Sequence, residues 1–410
     1  MAEGVAARAA AVQMLNAVLG EGRMLADLPE PDLPPGDRAR ARRLAEEVLR
    51  RVEPADRVLA PLMRKAPPLP VLNGLRLAVV ELSLGAAPHG VVNAAVALVR
   101  QGKRTQHLSG LVNAVLRQVE PAALATQPVQ KLPRWMRQPM VHAFGREAVA
   151  AIEAVHALTP PLDLTLRDGA EAPEGLALPT GSLRLAAGGQ VSALPGYAAG
   201  GWWVQDAAAA LPARLMAAQP GERVLDLCAA PGGKTMQLAA AGAQVTALDI
   251  SGPRLARLRE NLTRTGLPAE VVTADALVWT PEAPFDAVLL DAPCSATGTV
   301  RRHPDLPFVK DGSELDNLTA LQDLLIDRAL GFLKPGGRLV FATCSLLPAE
   351  GEDRIAAALT RHPGLRADLP DLQGVEPAWT SGGGLRLRPD YWADLGGMDG
   401  FFCARLTLPG

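Results

Sequence analysis

Residues 224–235 read VLDLCAAPGGKT and decide the class of fold, because an apolar run passes directly into a glycine-rich turn. The closing Gly-Lys-Thr matches the end of the phosphate loop of nucleotide triphosphatases, G-x-x-x-x-G-K-[ST]. The first glycine of that pattern falls on Cys228, although a glycine there is what lets backbone N–H groups curl around a triphosphate. The turn therefore favours another ligand. A nucleotide triphosphatase is kept as a weaker competing hypothesis, which measurable hydrolysis of ATP would support.

Further apolar runs follow this stretch, with helical segments between them: VTALDI, AVLLDA and RLVFATCS. Strands that alternate with helices predict a parallel, doubly wound sheet. We therefore expect residues 201–410 to form a Rossmann-like α/β domain with a mostly parallel sheet.

The front of the chain has a different period. From about residue 5 to 120 apolar side chains recur every three or four positions, as in Val12, Leu15 and Val18, and no convincing strand is present. This predicts an all-α bundle over 1–125, in which Asp37 caps a basic amphipathic helix. Residues 126–200 lack a clear period and are expected to form a connecting region or a small α/β subdomain.

The charge and the cysteine content of the chain limit the classes of function that are possible. Residues 1–150 carry 20 Lys and Arg against 13 Asp and Glu, a net charge of +7, whereas the rest of the chain carries −9. We therefore expect a polyanion to bind mainly to residues 1–150, although solvated helix faces explain this charge equally well. The four cysteines are widely spaced, which argues against a metal site or a disulfide framework. No signal peptide or membrane segment is evident, so a cytoplasmic protein is expected.

Acidic residues and a cysteine follow the predicted strands. In order they are Asp226, Asp249, Asp275, Asp291 and Cys344. Ligands of open α/β sheets bind beyond the carboxyl ends of the strands, and an acid about 20 residues after a glycine-rich turn binds ribose hydroxyls. Carboxylates repel phosphates, so S-adenosylmethionine fits best, with its ribose at Asp249, its adenine near Asp275 and its methionine end over the glycine-rich loop. Helix capping would explain any single aspartate.

Two cysteines, Cys294 and Cys344, follow strands of the same predicted sheet. A lone cysteine is more often a small buried hydrophobe, but two thiols beside a methyl donor suggest a reaction. Addition of a thiolate to carbon 6 of cytosine makes carbon 5 nucleophilic, and a second group assists release. Asp291, three residues before Cys294, is placed to act as the acid at N3. This chemistry leaves open which cysteine attacks.

Three stretches resemble motifs I, IV and VI of the RNA cytosine-C5 methyltransferases of the Nol1/Nop2/Sun family: LDLCAAPGGKT, LLDAPCSATGTVRRHPD and ATCSLLPAEGE. The ending DGFFCARL resembles their closing strand, and VNAAVALVR with GLVNAVLRQV is similar to the NusB-like RNA-binding domain of the bacterial branch. The resemblance implies a NusB-like bundle at 1–125, an RNA-recognition subdomain at 126–200 and a methyltransferase domain at 201–410.

The same resemblance implies the site residues. Those that line the cofactor site are Cys228, Ala229, Ala230, Pro231, Gly232, Gly233, Lys234, Asp249, Asp275 and Asp291. It further implies that Cys344 attacks, that Cys294 assists release, that Cys228 contributes backbone and that Cys403 is structural. The segment PPLDLTLRDGA keeps Arg167 of the family's arginine-x-asparagine pattern but lacks the asparagine.

The leading hypothesis is an enzyme that transfers a methyl group from S-adenosyl-L-methionine to carbon 5 of cytosine in RNA. The resemblance implies protein-free 16S ribosomal RNA as the substrate, and neither a membrane nor DNA as a partner. We expect phosphate contacts from Arg38–Arg51 and Arg100–Arg104. The alternatives are a non-catalytic NusB-like RNA-binding factor with a vestigial methyltransferase domain, and an exocyclic-amine methyltransferase, to whose D-P-P-[YF] pattern DAPC is distantly related.

Overall fold

The computed structural model describes residues 4–185 and 190–410. Residues 1–3 and 186–189, which fall in the predicted regions 1–125 and 126–200, lie outside the described residues. The chain divides into two compact units. The helical unit contains residues 4–137, Val149–Thr159 and Val300–Asp311. The sheet unit contains Gln138–Ala148, Pro160–Thr299 and Gly312–Gly410.

Helices α1 to α6 form most of the helical unit, and no strand occurs among the described residues 4–120. In chain order they are Val5–Glu21, Pro35–Leu49, Val52–Leu59, Leu69–Ser83, Pro88–Gln101 and Ser109–Leu116. Their apolar faces enclose one core, in which Leu15, Val48 and Leu75 are fully buried. Helix α7, Arg134–His156, contains a break at Gly145, whose φ is 84°. The all-α front predicted from periodicity is confirmed.

The predicted cap of the basic helix is wrong. Helix α2 begins at Pro35, after Pro34, so Asp37 lies in its first turn and makes no capping hydrogen bond. Proline is favoured at a first helical position because its fixed φ fits a helix and its missing N–H is not needed there. The carboxylate of Asp37 still lies near the positive end of the helix dipole.

A small antiparallel sheet lies in the part of the chain whose sequence is least regular. Its strands β1 to β4 are Leu162–Leu166, Leu176–Ala177, Leu183–Leu185 and Trp202–Val204. Their spatial order is β2-β3-β1-β4. A buried ion pair joins neighbouring strands, since Arg184 Nε lies 2.7 Å from Asp163 Oδ1.

The large sheet contains nine strands of the described chain. Strands β5 to β13 are Arg223–Leu227, Gln244–Asp249, Glu270–Thr273, Phe285–Asp291, Leu333–Thr343, Arg366–Asp368, Thr380–Ser381, Gly384–Leu387 and Phe401–Thr407. Their order is β11-β12-β13-β9-β8-β5-β6-β7, and β10 pairs with β13. Strands β5 to β9 run parallel, whereas β13 is antiparallel to β9. The predicted mostly parallel, Rossmann-like sheet is confirmed.

The remaining helices connect these strands, except α11, which belongs to the helical unit. Helices α8 to α13 are Ala207–Met216, Gly233–Ala240, Gly252–Thr265, Leu306–Val309, Leu315–Gly331 and Glu352–Arg361. None of the described helices is long and apolar enough to cross a lipid bilayer.

The direction of the strand order changes at β5. This strand pairs with β6 on one side and with β8 on the other. Open α/β sheets bind their ligands beyond the carboxyl ends of the strands at such a switch point. The carboxyl ends of β5, β6, β8 and β9 therefore define where the functional side chains should be sought.

Candidate active site

The glycine-rich loop joins β5 to α9. Cys228 has a φ of 61° and Gly232 a φ of 104°, so the backbone of the loop enters the left-handed region twice. A Cβ atom on Gly232 would lie 2.8 Å from Leu258 Cγ, which leaves no room for a side chain. Gly232 also precedes the first residue of α9, where backbone N–H groups have no partner inside the helix. The loop therefore offers backbone to a ligand at a helix N-terminus.

Asp249 is the last residue of β6, and Asp275 follows the end of the neighbouring strand β7. Asp249 is 2% exposed, and its carboxylate accepts hydrogen bonds from Ala230 N at 3.1 Å and from Ser251 N at 2.9 Å. Asp275 Oδ1 accepts one from Leu277 N at 2.9 Å. Each carboxylate oxygen has a further lone pair, which is what ribose hydroxyls and an adenine amino group require.

Asp226 lies inside β5 and is fully buried. Its Oδ2 accepts a hydrogen bond from Thr235 Oγ1 at 2.6 Å, whereas its Oδ1 has no partner. Burial raises the pKa of Asp226 to about 7. An unpaired, buried carboxylate oxygen suits a cationic group of a ligand, such as the amino group of S-adenosylmethionine. The residues around the loop therefore fit this cofactor.

Lys234 and Asp291 form an ion pair at this edge. Lys234 Nζ lies 2.7 Å from Asp291 Oδ2 and 5.2 Å from the centre of the Phe401 ring. Burial acts to lower the pKa of Lys234, but the carboxylates of Asp291 and Asp226 outweigh it, so this pKa lies above its ordinary value. The lysine therefore stays charged beside Asp291.

Cys294 and Cys344 meet although 50 residues separate them in sequence. Both follow the adjacent parallel strands β8 and β9, and their Sγ atoms are 3.4 Å apart. The hydrogen bond to Cys344, burial, and the charges of Cys344 and Glu350 raise the pKa of Cys294 well above its ordinary value. Cys294 therefore keeps its proton at neutral pH, and a hydrogen bond joins the two sulfur atoms.

The other two cysteines have different surroundings. Burial, together with Asp291, Asp249 and Asp226, raises the pKa of Cys228 to about 12. Burial also raises the pKa of Cys403, inside β13, to about 12. Neither thiol ionises at neutral pH. In the described part of the chain, all four cysteines are free and no group of His, Cys, Asp and Glu side chains is suited to hold a metal ion.

Sequence reasoning missed two buried polar residues beside the cysteines. Glu350, six residues after Cys344, is fully buried and accepts hydrogen bonds from both cysteine loops. Gln322, in α12, is fully buried and donates to Glu350 and to the carbonyl of Pro293. Glu350 belongs to the quoted ATCSLLPAEGE stretch, but nothing in the sequence around Gln322 indicates its position.

The basic side chains expected to contact RNA differ in availability. Arg50 is 4% exposed and donates to the carbonyls of Leu158 and Arg301, so it cannot reach a phosphate, and that part of the expectation is wrong. Within α2, Arg42 pairs with a glutamate one turn away. By contrast, four exposed side chains have no ion-pair partner among the described residues. They are Arg43, Arg100, Lys103 and Arg104.

Comparison with known proteins identifies both parts of the chain. Residues 213–407 match the family described as 16S rRNA methyltransferase RsmB/F, and residues 5–121 match the NusB family. Ribosomal RNA small subunit methyltransferase B of Klebsiella pneumoniae is 36% identical over 88% of this chain and 91% of its own length. Its namesake in Xanthomonas campestris is 36% identical over 99% of this chain and 98% of its own.

Two solved structures share the fold. A methyltransferase homolog protein from Pyrococcus horikoshii has a TM-score of 0.54 and 25% identity over 66% of this chain and 93% of its own. NSun6 from Pyrococcus horikoshii has a TM-score of 0.57 and 18% identity over 67% of this chain and 98% of its own.

These findings confirm the predicted NusB-like region, the methyltransferase activity, S-adenosyl-L-methionine as the cofactor and RNA as the class of substrate. The chain belongs to the RsmB/F family of 16S rRNA methyltransferases.

Proposed function

We propose that this enzyme methylates carbon 5 of a cytosine in protein-free 16S ribosomal RNA, in the cytoplasm, through a covalent adduct between Cys344 and carbon 6 of the base. The observation that carries the proposal is the pair of thiols 3.4 Å apart at the carboxyl edge of the sheet. A methyltransferase that acts on an exocyclic amine needs no thiol, and a vestigial domain has no use for this arrangement.

The cofactor is held by the carboxyl edge of the sheet in this proposal. The residues that line its site are Cys228, Ala229, Ala230, Pro231, Gly232, Gly233, Lys234, Asp249, Asp275 and Asp291. Asp249 takes the ribose hydroxyls, Asp275 lies near the adenine, and Cys228 contributes backbone. When bound, S-adenosyl-L-methionine supplies an electrophilic methyl group to carbon 5 of the activated base.

Cys344 starts the reaction on the base. Its thiolate forms a bond to carbon 6, and the electron pair of the C5–C6 double bond moves to C4–C5 while the C4–N3 pair moves to N3. As negative charge develops on N3, Lys234, whose Nζ lies 2.7 Å from Asp291 Oδ2, passes a proton to that carboxylate, and Asp291 passes a proton on to N3. Carbon 5 is now an enamine carbon, which is nucleophilic.

Cys294 completes the reaction once carbon 5 carries the methyl group. The hydrogen bond and the charge of Cys344, which help to raise the pKa of Cys294, are lost when Cys344 is bound to the base. Cys294 can then release its proton to solvent and, as a thiolate, remove the proton from carbon 5. The C5–C6 double bond re-forms, the Cys344–C6 bond breaks, N3 returns its proton through Asp291 to Lys234, and the product is free.

RNA is held partly by the helical unit in this proposal. Arg100, Lys103 and Arg104 are exposed and carry no ion pair among the described residues, so each can release a counterion when it meets a phosphate. Their replacement by Gln should reduce the slope of log affinity against log salt by about 0.7 to 0.9 for each phosphate that is no longer neutralised. An unchanged slope would remove this surface from the proposal.

Methyl transfer from labelled cofactor to 16S RNA tests the function directly. Digestion of the product to nucleosides should place the label on 5-methylcytosine, with protein-free RNA a better substrate than assembled small subunits. Cys344→Ala should abolish the label, whereas Cys403→Ala, which removes a buried thiol from β13, should retain it. Label on an exocyclic amine would refute the proposed chemistry, and label on assembled subunits alone would refute the proposed form of the substrate.

A further inference from the structure

One buried carboxylate holds the residue that follows each cysteine. Glu350 ends a short 3-10 turn, Pro348–Glu350, and is 0% exposed. Its Oε1 accepts a hydrogen bond from Ser295 N at 2.8 Å, and its Oε2 accepts one from Ser345 Oγ at 2.6 Å and another from Ser295 Oγ. A single side chain therefore fixes the position of the loop after β8 relative to the loop after β9.

The residue before each cysteine is tied to the same centre. Gln322 Nε2 donates to Glu350 Oε1 at 3.1 Å and to Pro293 O at 2.9 Å. Thr343 Oγ1 donates to the carbonyl of Glu350 at 2.9 Å. All four chain neighbours of the two reactive cysteines are thus bonded to Glu350, directly or through Gln322.

The two loops are further joined by direct hydrogen bonds. Gly298 N donates to Cys344 O at 3.0 Å, and Leu346 N donates to Thr297 Oγ1 at 2.9 Å. Ala296 has a φ of 61°. Residues other than glycine rarely adopt this backbone conformation, and they keep it only when the surrounding structure imposes it. The separation of the thiols is therefore set by a rigid network rather than by the cysteines themselves.

The negative charge of Glu350 is not explained by packing. Its side chain is bonded to Ser295, Ser345 and Gln322, and no cationic side chain pairs with it among the described residues. A buried carboxylate without a cation is costly, and a glutamine of the same size would satisfy several of the same donors. The charge instead acts on Cys294, whose proton it helps to retain.

We propose that Glu350 is a positioning residue for methyl transfer: through its bonds to the chain neighbours of both cysteines it holds the two thiols at hydrogen-bond distance. This proposal rests on the proposed roles of the two cysteines. It assigns Glu350 no contact with the substrate or the cofactor.

Glu350→Gln keeps the size of the side chain and removes its charge. We expect kcat for methyl transfer to fall about 10- to 100-fold while KM for RNA and for the cofactor stays within about twofold, because the amide has one acceptor oxygen where the carboxylate has two, so one cysteine loop loses its hold while the binding residues are unchanged. The matched control is Glu222→Gln, at the opposite edge of the sheet, which should keep the parent kcat. A parent-like kcat for Glu350→Gln would overturn the proposal.

Thiol alkylation tests the charge without relying on catalysis. Iodoacetamide labelling of Cys294 over a pH series, read by mass spectrometry without RNA or cofactor, should show a lower midpoint in Glu350→Gln than in the parent. An unchanged midpoint would overturn the role of the charge. Because this readout needs no methyl transfer, it shows whether the charge of Glu350 acts on Cys294 even if the proposed reaction on cytosine fails.

A second variant covers the case in which Glu350→Gln does not fold. Gln322→Met is close in shape, keeps the charge of Glu350 and removes the link to Pro293. It should lower kcat by about 10-fold with the parent cofactor affinity and the parent midpoint for Cys294 alkylation. A parent-like kcat in this variant would contradict a positioning role of the network.

Discussion

The acidic groups at the two edges of the large sheet have opposite surroundings. At the amino edge, Glu222 bonds to Arg338 and Asp286 bonds to Lys334, and these hydrogen bonds lower the pKa of both carboxyls. At the carboxyl edge, burial raises the pKa of Asp226 to about 7, and one of its oxygens has no partner. The acidic groups of the amino edge are paired, whereas the carboxyl edge retains a buried carboxylate oxygen that no described group satisfies, as is common at functional sites.

The contrast holds within a single strand. Asp286 is the second residue of strand β8 and Asp291 is its last, and each aspartate pairs with a lysine. The lysine of the amino-edge pair, Lys334, has a side chain that is 42% exposed, whereas Lys234 of the carboxyl-edge pair is 10% exposed. Exposed pairs contribute little to stability, so a function should be sought in the sheltered pair.

Replacing Asp291 and Asp286, one at each edge, should give the largest difference in kcat between the edges. Asp291→Asn should lower kcat by about 10²- to 10⁴-fold, because an amide cannot protonate N3 of the base. Asp286→Asn, the matched change at the other end of β8, should leave kcat within about twofold of the parent, since it removes only a partly exposed ion pair. Single-turnover methylation with saturating cofactor measures both. Equal losses in the two variants would remove the functional distinction between the edges.

Asp226 should make the stability of the sheet depend on pH. Its pKa is raised from 3.8 to about 7 in the folded chain, so its contribution is fully present below about pH 4 and is lost as the pH rises through 7. The variant Asp226→Asn does not ionise, so it avoids this loss. Its free energy of unfolding at pH 8 should exceed that of the parent by at most about 4 kcal/mol, since one pKa unit corresponds to about 1.4 kcal/mol.

Hydrogen exchange of the β5 amides over a pH series, corrected for intrinsic rates and without cofactor, measures this difference. Parallel opening free energies for the parent and Asp226→Asn between pH 4 and pH 8 would contradict the raised pKa of Asp226.

Glu222 should give the smallest effect, with the opposite dependence on pH. The hydrogen bond from Arg338 lowers the pKa of Glu222 below 4.5, so its contribution is present above that pH and is lost as the pH falls through the folded pKa. Glu222→Gln should cost about 0.5 to 1 kcal/mol at pH 7, and less in high salt, because the side chain is partly exposed. Denaturant unfolding checks this. A difference that persists in strong acid would show that the ion pair is not its source.

The sequence predicts the carboxyl edge well because parallel strands bring their ends together. Asp249, Asp291 and Cys344 could be placed there from apolar runs alone, and their convergence needs no knowledge of side-chain packing. The distance between Cys294 and Cys344 could not be predicted, since it depends on hydrogen bonds between two loops.

Other features of the structure could not be predicted from the sequence, for definite physical reasons. Strands β2 and β3 contain two and three residues, too few to show a period of two. Gln322 lies on a helix whose pattern shows only that it is amphipathic, so its bond to Glu350 is invisible. The assignment of Val300–Asp311 to the helical unit has no local signal either, because tertiary packing decides it.

The roles of the two thiols in the proposed reaction are tested most directly on a denaturing gel. Cys294→Ala and Cys344→Ala are each incubated with 16S RNA and S-adenosyl-L-methionine, then denatured. We expect Cys294→Ala to trap a protein–RNA adduct that survives denaturation, because release fails, whereas Cys344→Ala should form none. An adduct with Cys344→Ala alone would reverse the two roles. No adduct from either variant, despite methylation by the parent, would contradict covalent catalysis.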